Sequence, residues 1–94
     1  MKLMMFTRKN CANCPPAKEI VGAVAINLNL DVAMYDADNI PFEVLHTLLN
    51  NQIYIFSVPA LIVENENKLN VVFAGMAPNE KDLEKKLNNM LKSK

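Results

Sequence analysis

Two apolar segments of strand length, with a helical segment between them, most constrain the fold of this chain. Lys2–Thr7 is almost wholly apolar, and Asp31–Tyr35 carries Val, Ala and Met before a polar turn. Between them apolar residues recur at helical spacing from Ala17 to Leu28, and Pro15-Pro16 suit a first helical turn, where a missing N–H costs nothing. This pattern predicts two parallel strands joined by a right-handed crossover, and therefore an α/β core.

The rest of the chain predicts a second helix, a β-hairpin and a third helix. These elements are a helix from Pro41 to just before Asn50, strands at Val58–Val63 and Leu69–Phe73, and a helix capped by Asn79. The segment Ile53–Phe56 fits either a short strand or a loop that packs apolar side chains. The predicted fold is β-α-β-α-β-β-α, a central four-stranded mixed sheet flanked by helices, in one domain over residues 1–94.

Composition narrows the functional classes. Hydrophobic residues make up 51% and charged residues 21% of the 94 positions, which is typical of a folded globular domain. Ten basic and ten acidic side chains cancel, so net charge gives no reason to expect binding to nucleic acid or to an anionic membrane. The first apolar run is too short for a signal peptide or a membrane span. We therefore expect a cytoplasmic monomer.

The two cysteines, Cys11 and Cys14, follow the first strand and lie at the start of the first helix. They would close too small a loop for a structural staple, which favours a chemical role. The helix N-terminus presents unpaired N–H groups and partial positive charge to the first sulfur, and Arg8 and Lys9 add charge beside it. We therefore expect a depressed pKa for Cys11 and a role as the attacking nucleophile, which forms a mixed disulfide with its substrate. Cys14 would then resolve that mixed disulfide. Such exchange needs no metal and no cofactor.

Metal binding is the main chemical alternative, because a CxxC pair also supplies half of many zinc sites. Only His46 is available to join the two sulfurs, and it falls on the predicted second helix. An intrinsic four-ligand site is therefore not expected. Two chains sharing a metal or an iron–sulfur cluster through four cysteines remain an alternative, as does a redox-sensing or binding module without turnover.

Several segments resemble the thioredoxin and glutaredoxin superfamily, and small glutaredoxin-like proteins in particular. Phe6–Cys14 followed by Ala17-Lys18 is similar to the family's strand, CxxC motif and helix start. Asp36–Asp38 resembles the acidic exit of its second strand. Ser57–Pro59 resembles its Thr-Val-Pro segment, and Gly75 its glycine after the last strand.

The resemblance implies a thiol–disulfide oxidoreductase that reduces protein disulfides. It implies that Pro59 is cis and faces the cysteines, and that the backbone at Val58 pairs with an extended substrate. It also implies that the Cys11–Cys14 disulfide is reduced again by an upstream reductase that is flavin-, ferredoxin- or glutathione-linked. The expected substrate groove is formed by Ala12, Asn13, Ser57, Val58, Pro59, Gly75 and Met76.

The chain also departs from the family pattern. Glutathione-binding glutaredoxins have a double glycine and acidic residues after the last strand, whereas this chain has Gly75-Met76-Ala77-Pro78, so tight glutathione binding is not expected. The dipeptide Ala12-Asn13 is neither the Gly-Pro of typical thioredoxins nor the Pro-Tyr of typical glutaredoxins. Cys14 argues against the monothiol, cluster-carrying branch, which lacks a second cysteine.

Overall fold

Seven elements follow one another in the predicted order β-α-β-α-β-β-α. The structure is a computed structural model that describes residues 1–66 and 68–92. The elements are β1 (Lys2–Thr7), α1 (Cys14–Leu28), β2 (Asp31–Asp36), α2 (Phe42–Asn50), β3 (Ala60–Asn65), β4 (Lys68–Ala74) and α3 (Glu80–Lys92).

The four strands form one mixed sheet in the order β2-β1-β3-β4. β1 is parallel to β2 and antiparallel to β3, so that Phe6 is paired with Tyr35 on one side and with Ala60 on the other. β3 and β4 are antiparallel, with Ala60 opposite Ala74. As a result β1, β2 and β4 end, and β3 begins, at the same end of the sheet, which we call the site end.

Both faces of the sheet are covered, which explains why β1 is almost continuously apolar. Leu3 and Met5 pack with α1 and α3 on one face, whereas Met4 and Phe6 pack with Leu48 of α2 on the other. The core lies in these two layers, and the described residues include no buried polar or charged side chain. The α/β class and the mixed sheet are as the sequence predicts.

Local hydrogen bonds fix where the helices begin and end. Asn79 caps α3, because its Oδ1 accepts the backbone N–H groups of Lys81 at 2.9 Å and Asp82 at 3.2 Å. α1 ends at Asn29, whose left-handed backbone (φ 57°) lets Leu30 N–H donate to the carbonyl of Ala25 at 2.8 Å. None of the described helices is long and apolar enough to cross a membrane.

One prediction about the second half needs correction, and one open alternative is decided. β3 begins at Ala60, two residues later than predicted, and Ile53–Phe56 is the loop, the second of the two alternatives. The sheet positions on both sides of β1 are already filled, and Pro59 has no N–H to offer a neighbouring strand. Ile53 and Ile55 instead pack against the α2-side core.

Candidate redox site

Cys11 and Cys14 form a disulfide at the site end, with their Cα atoms 5.4 Å apart. Cys14 is the first residue of α1, and its N–H donates to the carbonyl of Cys11 at 3.4 Å. Asn10, immediately before the pair, adopts a left-handed conformation (φ 61°), which asparagine tolerates better than most residues. The chain therefore turns sharply out of the loop and into the helix at the pair.

The two sulfurs differ in how accessible they are. Cys14 is 3% exposed and belongs to the buried side of α1, whereas Cys11 is only partly buried. An incoming sulfur atom therefore reaches Cys11 first. A buried thiol that is reached only from its bonded neighbour fits the resolving position.

The N-terminus of α1 leaves its positive end uncompensated. Asn13 makes no side-chain capping bond, and the first turn contains no acidic residue. Pro15 and Pro16 lie in that turn and have no N–H, and the N–H of Ala17 already donates to the carbonyl of Asn13 at 3.2 Å. The expectation of several free N–H groups is therefore wrong for Cys14–Ala17. The two prolines have none, those of Cys14 and Ala17 already donate within the chain, and what remains for the sulfur is the helix dipole.

The two basic residues before the motif are placed differently. Arg8 Nε donates to Asp38 Oδ1 at 2.8 Å, the only ion pair among residues 1–66 and 68–92. The same loop is held by Asp36, whose Oδ1 accepts the N–H of Asp38 at 2.9 Å. Lys9 is exposed and has no such partner in this part of the chain. Of the two, only Lys9 leaves its charge uncompensated.

The segment before β3 lies beside the loop that carries the dithiol. The Val58–Pro59 peptide bond is cis, and Pro59 is buried. Because Phe6 is paired with Ala60, the segment Ser57–Pro59 enters the sheet next to the point where β1 leaves it. This arrangement brings the two sequence-predicted halves of the site to one end of the sheet.

Gly75 joins this segment to the end of β4. Its N–H donates to the carbonyl of Pro59 at 2.9 Å. Its backbone lies at φ +89°, which side chains rarely adopt, and a Cβ added there would lie 3.4 Å from Ser57 Cβ. Glycine therefore suits this position both in conformation and in space.

The remaining predicted groove residues are mostly exposed. Ala12, Asn13 and Ser57 are exposed, Val58 is half-buried and Met76 is 73% exposed. Within the described residues, Ser57 and Val58 make no backbone hydrogen bond to another segment. Their N–H and C=O groups are therefore available to an incoming extended chain.

His46 lies apart from the cysteines, on α2. Its Nδ1 is 3.3 Å from Asn50 Nδ2, and its ring stacks on Phe42. Nowhere in residues 1–66 and 68–92 do three His, Cys, Asp or Glu side chains come together as metal ligands would. Asp38 is the residue that sequence reasoning left without a role; its signal was the acidic exit of β2.

Comparison with known proteins establishes the fold. A similar solved structure is that of thioredoxin 1 from the thermophilic eubacterium Thermosipho africanus TCF52B, with a TM-score of 0.69 over 98% of this chain and 96% of that chain. The two sequences are 15% identical. No protein-family model and no curated protein matches the sequence. The chain therefore has a thioredoxin-like fold with a close cysteine pair at its site end.

Proposed function

We propose that this thioredoxin-like domain is a thiol–disulfide oxidoreductase that reduces protein disulfides. The observation that carries the proposal is the unequal pair at the start of α1, with Cys11 partly exposed and bonded to Cys14, which is 3% exposed. A thioredoxin-like fold with such a pair suggests redox chemistry. The open end of the α1 dipole favours the thiolate at Cys11 once the bond is reduced.

The proposed reaction consists of two sulfur exchanges. The Cys11 thiolate attacks one sulfur of the substrate disulfide; that S–S bond breaks, and the departing thiolate takes a proton from water. The Cys14 thiol then loses its proton to solvent and attacks the Cys11 sulfur, which releases the second substrate sulfur as a thiol. The substrate gains two electrons and two protons, and Cys11 and Cys14 are left oxidised as a disulfide.

The neighbouring segments have binding roles in this proposal. The unpaired backbone at Ser57 and Val58 pairs with an extended stretch of the substrate, as in strand addition to a sheet edge. Ala12, Asn13 and Met76 line the approach to Cys11. Pro59 and Gly75 hold that approach in place through the hydrogen bond between them.

Regeneration of the dithiol requires an external supply of two electrons. We propose an upstream reductase that is flavin-, ferredoxin- or glutathione-linked, and a cytoplasmic setting in which the domain works as a monomer. Related dithiol proteins have reduction potentials from roughly −270 to −120 mV, and a reductant belongs near the lower limit.

The test combines the reduction potential with turnover. Equilibration in defined thiol buffers is expected to give a reversible two-electron couple near about −270 mV, and the reduced protein is expected to reduce a protein disulfide over many cycles when dithiothreitol is supplied. Cys14→Ser should accumulate a mixed disulfide through Cys11, whereas Cys11→Ser should form none.

Other outcomes point to other functions. A reversible bridge without multiple turnover would make the domain a redox sensor or binding module. Absence of any reversible bridge would overturn the proposal and favour metal binding, which metal analysis of anaerobically purified protein would reveal.

A further inference from the structure

The loop that carries the dithiol has a different surface on each side. β1 lies between β2 and β3, so this loop has the end of β2 on one side and the segment before β3 on the other. Each side contains exposed side chains that the two core layers do not use.

On the β2 side there is a cleft of about 350 Å³ whose charged lining residues are Arg8, Lys9, Lys18 and Asp36. It includes Lys9, two residues before Cys11, and Lys18, one helical turn beyond Cys14. Tyr35 also lines it. Arg8 is compensated by Asp38, but neither lysine makes an ion pair within the described residues. Asp36 contributes one carboxylate, so positive charge is still in excess in this lining. The two lysine amines are available to a negatively charged group, and we call this the basic cleft.

A second surface lies beside α2, between the connection that follows β2 and the segment before β3, and its exposed side chains are apolar. Leu45, Leu49, Tyr54 and Phe56 are 39%, 47%, 58% and 84% exposed and frame a groove of about 270 Å³ whose lining contains no charged residue. The rings of Tyr54 and Phe56 lie 5.9 Å apart. Phe56 comes three residues before the cis-proline at position 59. We call these four residues the apolar surface.

We propose that the basic cleft and the apolar surface together select protein disulfides with an acidic side chain on one side of the attacked cysteine and an apolar side chain on the other. This inference rests on the proposed function, since it assumes attack by Cys11 on a protein disulfide. Charge complementarity assigns the acidic residue to the lysines, and the uncharged groove excludes a charged side chain because of the cost of desolvation.

The backbone between the basic cleft and the apolar surface indicates that the ligand is a polypeptide. The unpaired backbone groups of Ser57 and Val58 fit the main chain of an extended segment. Side chains before and after the substrate cysteine would then extend toward the two flanking surfaces. The net charge of zero gives no sign of this selection, because the selection depends on the local charge near the dithiol.

The experiment uses eight disulfide peptides that differ only at the two positions flanking the attacked cysteine. One position is Phe or Ser and the other is Glu or Lys, and each of these four combinations is made in both orders. The readout is the second-order rate constant for oxidation of the reduced protein. We expect the Phe and Glu combination to react fastest in one order, with about tenfold loss for Ser in place of Phe. We expect about fivefold loss for Lys in place of Glu, shrinking as salt is added.

Matched variants separate the two surfaces. Phe56→Ser is expected to abolish the preference for Phe and to keep the preference for Glu. The double variant Lys9→Gln with Lys18→Gln is expected to abolish the preference for Glu and to keep the preference for Phe. Ile26→Ser, on the distal part of α1 and 81% exposed, and Lys68→Gln, at the opposite end of the sheet, should keep both preferences. For each variant, the ratio of rate constants between two peptides is compared. A general change in Cys11 reactivity alters both rate constants equally and leaves that ratio unchanged.

Equal rates for all eight peptides, or preferences that survive in Phe56→Ser and in the lysine variant, would overturn the inference and leave the proposed function standing. Failure of the reduced protein to react with any peptide would instead contradict the proposed function itself.

Discussion

α1 and α3 pack on the same face of the sheet, yet their N-termini are built differently. α3 begins with a capping asparagine that accepts two backbone hydrogen bonds, and its first turn contains Glu80 and Asp82. α1 has no side-chain cap and no acidic residue in its first turn. The positive end of α3 is therefore neutralised within the molecule, whereas that of α1 is left for Cys11.

In this fold the N-terminus of α3 contributes to stability, and the N-terminus of α1 contributes to reactivity. A capped helix end contributes to folding and offers little to a ligand or a sulfur atom. An uncapped end forgoes that stability, and its dipole is available to stabilise negative charge. α1 is nevertheless held firmly, because five of its side chains are buried, among them Val21 and Val24.

Removing the two helix-start asparagines tests the stability half of this comparison. Asn79→Ala is expected to lower the free energy of unfolding by about 1 kcal/mol, because two backbone N–H groups lose their acceptor. Asn13→Ala is expected to change it by only about 0.3 kcal/mol or less, because no capping bond is lost. Urea unfolding of the oxidised proteins measures both. An equal loss in the two variants would mean that the starts of α1 and α3 contribute equally to stability.

Making the start of α1 resemble that of α3 tests the reactivity half. Pro16→Glu places a carboxylate in the first turn, where α3 has its acidic residues, and should disfavour the Cys11 thiolate. Alkylation of reduced Cys11 at a fixed, slightly acidic pH should slow about two- to fivefold, equivalent to about 0.3–1 kcal/mol. Pro16→Gln controls for loss of the ring. If both variants alkylate at the same rate, the dipole does not govern the thiolate.

Much of the fold and half of the site could be predicted because their signals are local. The dithiol occupies neighbouring positions between a buried strand and a proline-started helix, and the cap at Asn79 is three residues from the N–H it accepts. Ile53–Phe56 shows where local signals do not decide between alternatives. Its four residues all favour strands, but Ile53 and Ile55 pack on the α2-side core without joining the sheet, and that tertiary contact is not visible in a local pattern.

The unequal burial of the two cysteines and the Arg8–Asp38 pair could not be predicted for the same reason. Arg8 and Asp38 are thirty positions apart and meet only because β1 and β2 are parallel neighbours that end together. The sequence shows a positive charge before the motif, and only the fold shows a carboxylate beside it.

The smallest expected effect concerns that pair. Asp38→Asn removes the carboxylate and leaves the guanidinium of Arg8 uncompensated beside the dithiol loop. Added positive charge near a thiol favours the thiolate, so alkylation of reduced Cys11 should become faster, by about twofold or less in 0.1 M salt. The free energy of unfolding should fall by about 0.5 kcal/mol or less, because both side chains are exposed to solvent, 40% for Arg8 and 58% for Asp38. Arg8→Gln should give the opposite change in alkylation. If neither substitution alters the rate while Lys9→Gln slows it, Arg8 acts only by holding the two loops together, and Lys9 is the residue that tunes the sulfur.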